Sequence, residues 1–396
     1  MSRLERFTAQ LLTVCLLTAC QSAQDEAAVE PAADCLVRAS ATNGQAIAGQ
    51  YIITLNTAPT PGTLGAAGAR VSAQATVEAF MQQHQVSDPA IDLLTTATGA
   101  PTFVAHLDPL EVSQVQQDPT VLSVEPDRTV SVCACVDLIA PTTLTWNVRQ
   151  TGYGRGDEQT GKMVWVVDTG IDLDHPDLNV DASRSRSFVS GTTTADDQNG
   201  HGTHVAGIIG ALNNSVGVTG VASGARLVAL KVLNQLGEGR LSGVISAVNH
   251  VAQQGRAGDV VNLSLGSEGS SPTLDRAMRQ AADRGILFAV AAGNDGESTE
   301  SQTPASVNHP NIFTVAAIDR TNALATFSNY GPSVDVAAYG VRISSTYSNA
   351  RYATLSGTSM AAPHVAGLLY IRGRNVPRRG TITDGRSGQA IPIARE

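Results

Sequence analysis

Three short segments carry side chains whose chemistry depends on the company they keep. Asp168 ends the apolar run Val164–Val167, and Thr169-Gly170 turns the chain after it. A carboxylate in that position orients an imidazole, binds a cation, or simply caps a helix. His201 lies in Asn199-Gly200-His201-Gly202-Thr203-His204, at the opening of an apolar helical segment. The unpaired N–H groups and positive dipole end of a helix start disfavour imidazolium, an environment that suits a general base. Taken alone, a histidine at a helix start is more often structural. Ser359 lies in Gly357-Thr358-Ser359-Met360-Ala361-Ala362-Pro363-His364, just ahead of another apolar helix. Its hydroxyl can attack a carbonyl while its own N–H faces the resulting oxyanion. By itself it is also an ordinary helix cap. Acid, imidazole and hydroxyl are the parts of serine-based acyl transfer. His175, His201, His204 and Asp168 are of metal-binding types, but the zinc-peptidase pattern His-Glu-x-x-His is absent.

The surrounding chain alternates β-branched runs with helical segments. Strands are expected at Val164–Val167, Arg226–Val232, Val260–Ser264, Ile286–Ala291, Ile312–Ala316 and Val334–Ala337. Helices are expected at His204–Leu212, Ser242–Gln253, Leu274–Arg284 and His364–Ile371. Strands that are apolar throughout have both faces buried, so the pattern predicts an α/β parallel sheet with helices on both faces. Ligands of such sheets sit beyond the carboxyl ends of the strands, where Asp168 falls. Ahead of this region a small α+β unit occupies 49–134: strands Tyr51–Leu55, Thr102–Leu107 and Val121–Val124, helices Val71–Gln85 and Leu110–Gln117, and a last extended stretch, Thr129–Val132.

Composition narrows the functional classes. The 396 residues are 42% hydrophobic and 15% charged, which excludes disorder along the whole chain. A net charge of -9 speaks against a nucleic-acid partner. No apolar run is long enough for a spanning helix, which rules out a multi-pass membrane protein. The five cysteines, at 15, 20, 35, 133 and 135, contain no Cys-x-x-Cys pair. Arg3 and Arg6 precede the apolar Leu11–Leu17, the build of a secretory signal over 1–19. Leu17-Thr18-Ala19-Cys20 resembles the lipobox of bacterial lipoproteins, so export is expected, with a possible lipid anchor at Cys20. Residues 20–48 read as a solvated linker.

The order Asp168, His201, Ser359 and the motifs around them resemble the subtilisin-like serine peptidases, closest to the proteinase K type, over about residues 145–371. That resemblance implies an Asp-His-Ser triad, with Asn294 of Ala291-Ala292-Gly293-Asn294 donating to the oxyanion beside the Ser359 N–H. It also implies two backbone walls for the specificity pocket, Ser264-Leu265-Gly266 and Ala291–Gly293, and an edge, Gly237-Glu238-Gly239, that pairs with an extended peptide. Leu233, Leu241, Val244 and Leu265 give an apolar or aromatic bias, and Asp295 admits some basic side chains.

Catalysis in such a site needs no cofactor, whereas structural calcium is expected. One set comprises the carbonyls of Leu212, Val216 and Val218, the Asn214 side chain and Asp177. A second comprises the carbonyls of Pro310 and Ile312 with Asp335. Both are oxygen-only, as hard calcium prefers. By the same resemblance, 49–134 is the family's ferredoxin-like chaperone and inhibitor domain, cut off near Ala134–Cys135. A monomer is expected, acting on proteins and peptides and inhibited by its own pro-domain. The partner of Cys35 stays open between Cys133 and Cys135, with release of the catalytic domain from the anchor favoured. Residues 372–396 are an atypical tail after the catalytic domain at 135–371. Two rival readings are a binding protein that uses the fold without activity and a lipid-anchored envelope protein.

Overall fold

The computed structural model describes residues 40–56, 66–86, 92–94, 100–132, 136–140, 143–155 and 161–396. The signal segment, the lipobox, every cysteine and the Ala134–Cys135 bond lie outside these residues.

The catalytic region is built on a nine-stranded sheet. From one edge to the other its strands are Arg378–Thr383, Ala390–Ala394, Val334–Tyr339, Ile312–Ile318, Leu287–Ala291, Val260–Leu263, Val164–Asp168, Leu227–Lys231 and Arg186–Ser187. Neighbours pair in parallel, except for the antiparallel first two. Alternation along one strand shows why both faces are covered. Val164 and Val166 enter one core, while Trp165 and Val167 enter the other. Each fully buried side chain of this kind is worth about 1.5–3 kcal/mol. The Trp165 indole N–H needs a partner inside and finds Asp259 Oδ2 at 3.0 Å.

The smaller unit is a sheet of β1 (Ala46–Leu55), β2 (Asp92–Leu93), β3 (Thr102–His106) and β4 (Val121–Ser131), in the order β4-β1-β3-β2. Helices α1 (Ala66–Gln83) and α2 (Pro109–Gln117) belong to it, and Phe80, Phe103 and Val115 sit in its core. Asp108 and Glu111 form a reciprocal capping box that starts α2. The catalytic region contributes α3 (Trp146–Thr151), α4 (His201–Gly210), α5 (Leu241–Gln254), α6 (Pro272–Asp283) and α7 (Thr358–Arg372). Side chains of α4 and α7 fill one core, and those of α5 and α6 the other.

Several expected boundaries move. The linker ends early, because Ser40–Gln45 is folded against the small unit and β1 begins at Ala46. Val121–Val124 and Thr129–Ser131 belong to one strand that passes through Pro126, and Val132 lies just past its end. Helix α4 begins at His201 rather than His204, and α7 at Thr358 rather than His364. The segment read as an atypical tail forms a hairpin that extends the main sheet beyond Val334–Tyr339, burying Ile382, Ile391 and Ile393.

Candidate active site

Asp168 ends a central strand, and the first residue of α4 comes back over it. His201 Nδ1 lies 2.8 Å from Asp168 Oδ1, with both side chains at most 2% exposed. The carboxylate therefore fixes the ring and leaves Nε2 as the outward nitrogen. The helix start is held by a residue that the motifs did not single out. Asp197 accepts from the N–H groups of Asn199, Gly200 and Thr203 and from the Thr203 hydroxyl, at 2.6–3.0 Å. Gly202 has to be glycine because a Cβ there would lie 2.1 Å from the Gly170 carbonyl oxygen.

Ser359 is the second residue of α7, 4% exposed. Its hydroxyl donates to the Ser264 carbonyl at 3.0 Å, and among the described residues His201 Nε2 has no hydrogen-bond partner. Helices α4 and α7, which open on His201 and on Thr358-Ser359, pack against each other, and the His201 and Ser359 side chains make no hydrogen bond to one another. Such links are often loose until substrate is engaged. Pro363 explains a second contact. It has no N–H to give the carbonyl four residues back, and the Ser264 hydroxyl donates to that Ser359 carbonyl at 2.8 Å. Asn262 in turn donates to Ser264 Oγ at 2.8 Å. Ser264, expected as a pocket wall, therefore lies behind the serine and braces it.

Asn294 Oδ1 accepts from the Thr358 N–H at 2.8 Å and the Thr358 hydroxyl at 2.9 Å. A backbone N–H only donates, so this contact orients the amide with Nδ2 on the other side. Asn329, fully buried, clamps the same loop. Its Oδ1 accepts from the N–H groups of Asp295 and Glu297, and its N–H donates to the Gly293 carbonyl. Gly293 has φ 104°, and a Cβ there would lie 2.2 Å from Asn329 Nδ2. Asp197 and Asn329 were missed because an Asp or Asn in a polar turn is common. Only Asn329-Tyr330-Gly331 offered a turn signal.

The cleft beside these residues is lined by Leu265, Gly266, Ala291, Gly293, Asn294 and Asp295, among others. Ala292, by contrast, points into the main core. The end of β4 runs through the cleft. Ser131, Val130 and Thr129 pair antiparallel with Glu238, Gly239 and Arg240, and Ser131 bridges to Gly266 on the other side. The Val132 N–H donates to the Gly237 carbonyl at 3.0 Å. Val130 is buried with Leu233, Leu241, Val244 and Leu265. Two carboxylates just upstream meet helix starts. Asp127 accepts from the N–H (3.1 Å) and hydroxyl (2.6 Å) of Ser242 on α5, and Glu125 from the N–H of Thr273 on α6 (3.0 Å). Burial pushes both carboxyls above their ordinary range, against the pull of these bonds.

The remaining histidines do structural work. Burial and the neighbouring His201 push His204 down to about 3, and its Nε2 faces the carbonyls of Ile343 and Ala353. His175 Nδ1 accepts from the Asp177 N–H. Among the described residues no cluster of three His, Cys, Asp or Glu residues suits a metal. Asp177 is different. Its Oδ2 accepts from the Val218 N–H at 2.9 Å, its buried Oδ1 has no hydrogen-bond partner among the described residues, and burial pushes the group up to about 6. With Leu212, Asn214, Val216 and Val218 in the adjoining loop, an orphaned buried carboxylate oxygen fits a hard cation. Asp335 Oδ2 accepts from the Thr314 N–H at 2.8 Å, and burial pushes it up to about 6. Pro310 and Ile312 lie at the start of the neighbouring strand.

A doubly covered parallel sheet that carries an acid–imidazole pair and a serine at its cleft defines a serine endopeptidase. The model of the subtilase family matches residues 159–371, and that of peptidase inhibitor I9 matches residues 50–132. The chain belongs to the subtilase family and carries an inhibitor pro-domain ahead of the peptidase domain. It is 39% identical over 309 residues to the M-protease of Shouchella clausii (strain KSM-K16), covering 74% of this chain and 77% of that protein. It is 47% identical over 215 residues to subtilisin Savinase of Lederbergia lenta, covering 54% and 77% respectively. A crystal structure of a cold adapted subtilisin-like serine proteinase matches with a TM-score of 0.56 at 32% identity, covering 64% of this chain and 98% of that one.

Proposed function

We propose that this serine endopeptidase is exported, cuts its own precursor, and hydrolyses proteins through Asp168, His201 and Ser359. Ser359 Oγ attacks the scissile carbonyl, and His201 Nε2 takes its proton and passes it to the leaving amine. Asp168 holds the ring with Nδ1–H toward the carboxylate and stabilises the imidazolium. The Ser359 N–H and Asn294 Nδ2 receive the oxyanion, a contact that strengthens as charge develops. The observation that carries the reading is the 2.8 Å Asp168–His201 contact, made at the start of a helix that packs against the one opening on Thr358-Ser359. No cofactor enters any of these steps.

Specificity in this reading is broad, since backbone groups of Gly237, Gly239 and Gly266 hold the substrate as an added strand. An apolar or aromatic bias comes from Leu265, Leu233, Leu241 and Val244, and Asp295 at the pocket admits some basic side chains. The pro-domain tail occupies the cleft as a product would, with autocleavage near Ala134–Cys135. Calcium, where bound, is structural, held by Asp177, Asn214 and the carbonyls of Leu212, Val216 and Val218, and by Asp335 with Pro310 and Ile312. The lipobox-like Cys20 supports a lipid anchor on the pro-segment, so that maturation frees a monomeric peptidase at the cell envelope or outside it. The test is Ser359→Ala beside His201→Ala in the full chain. Both abolish peptide hydrolysis to the same extent and leave the precursor uncut, because residues that act as a unit are not additive. Normal processing of the Ser359→Ala chain refutes the mechanism.

A further inference from the structure

One acidic side chain stands on the strand that receives the peptide, and the mechanism does not use it. Glu238 lies directly opposite Ser131. Directly opposed residues of an antiparallel pair send their side chains to the same face. The contacts agree: Ser40 donates its N–H to Ser131 Oγ at 3.2 Å and its hydroxyl to Glu238 Oε1 at 2.7 Å. The Thr42 hydroxyl lies 3.3 Å from the same oxygen. Among the described residues, only neutral hydroxyls therefore meet this carboxylate and no ion pair engages it. The backbone of Glu238 is fixed by Asn234, whose Oδ1 accepts from the Glu238 N–H and whose N–H donates to the Glu238 carbonyl. That fixed backbone keeps the Glu238 side chain on the face it shares with Ser131.

Ser40, Thr42 and Ser131 all belong to the segment that processing removes. A substrate bound in the same register then places its own side chain where Ser131 was, beside a carboxylate that has lost its hydroxyl partners. We infer that Glu238 is a charge-selective specificity determinant, favouring Lys or Arg and disfavouring Asp or Glu at the substrate position taken by Ser131. The inference rests on the reading that the pro-domain tail marks the substrate register. Opposed charges across a strand pair attract and like charges repel modestly. A Lys over Glu preference of about fivefold in kcat/KM is therefore expected, or ~1 kcal/mol at 1.4 kcal/mol per tenfold. The rim is open to water, so salt reduces the preference.

The experiment uses mature enzyme and decapeptides copying residues 127–136, with serine in place of both cysteines and Lys, Gln or Glu at the position of Ser131. Mass spectrometry identifies the bond cut. The expected order of kcat/KM is Lys, then Gln, then Glu, and in Glu238→Gln the Lys-to-Glu ratio falls close to one. Equal cleavage of the three peptides at one bond, or a preference that survives Glu238→Gln, overturns the role of Glu238 and leaves the register standing. Cleavage at a bond that leaves the varied residue outside the strand overturns the register, and the inference with it.

Discussion

The contact between Asp127 and α5 makes a quantitative prediction about how tightly the pro-domain binds. Helix α5 has no side-chain cap of its own, since Arg240 at its N-cap makes no such bond. Asp127, fully buried, supplies both acceptors to Ser242. Asp127→Ala removes two hydrogen bonds to an ionisable acceptor and strands a buried N–H and a buried hydroxyl. Loss of a helix cap alone costs about 0.5–2 kcal/mol, and an orphaned buried donor about 1–3 kcal/mol. A total of ~2–3 kcal/mol corresponds to about 30- to 150-fold weaker binding. Asp127→Asn keeps an acceptor for the Ser242 N–H and buries no charge, so its affinity stays close to wild type.

The pH dependence of that affinity has a definite sign. Burial raises the carboxyls of Asp127 and Glu125 in the docked state. Their favourable contribution is then fully present below the pKa of the free pro-domain, and is lost as pH rises through the docked pKa. Wild-type affinity should weaken from acid toward neutral pH relative to an Asp127→Asn, Glu125→Gln pro-domain, in which these titrations are gone. The assay is calorimetric titration of fragment 21–134 into catalytic domain carrying Ser359→Ala, from pH 4 to 8. Wild-type binding that strengthens with pH relative to the double variant refutes the reasoning, as does an Asp127→Ala fragment that binds like wild type.

Two further predictions concern the catalytic domain alone. Asn294→Ala lowers kcat by about 10²–10³, the loss seen for one oxyanion donor in subtilisin, a relative of this protein; steady-state kinetics with KM little changed are the check. A calcium chelator shortens the half-life on heating and leaves initial rates nearly unchanged, because a structural ion stabilises by binding only the folded state. Asp177→Ala removes most of that sensitivity, and heat inactivation indifferent to chelator shows that the loops hold no ion.

What the sequence revealed tracks how local each signal is. Asp168, His201 and Ser359 stand in short runs dense in glycine and small residues, and the parallel sheet announces itself in uninterrupted apolar strands. The misread places share a different cause. Pro363 hides the first turn of α7, because its missing hydrogen bond is replaced by Ser264, 99 positions earlier in the chain. Pro126 likewise splits β4 on paper, although the strand runs through it. The C-terminal hairpin was obscured by its Arg and Gly content, while Ile382, Ile391 and Ile393 supply the buried residues. Asn329 and the helix-capping Glu125 and Asp127 act through partners far away in sequence, whereas Asp197 caps its own neighbours Asn199, Gly200 and Thr203 and looks like any polar turn.

An inhibitor that binds as a product faces a conflict. In the proposed function the groups that hold its tail, the Gly237 and Gly239 backbone and the pocket that takes Val130, also hold any substrate, so they cannot by themselves make it outlast one. Here the additional affinity comes from contacts that no short peptide reaches. Asp127 and Glu125 meet the starts of α5 and α6, and Ile52, Leu94 and Val104 join the core that those helices share with Trp165. The same helices form one face of the catalytic sheet, so the surface that binds the inhibitor is also the surface whose helix ends need partners during folding. In the proposed function, chaperone and inhibitor are thus one contact. Weakening it at Asp127 should slow folding and relieve inhibition together.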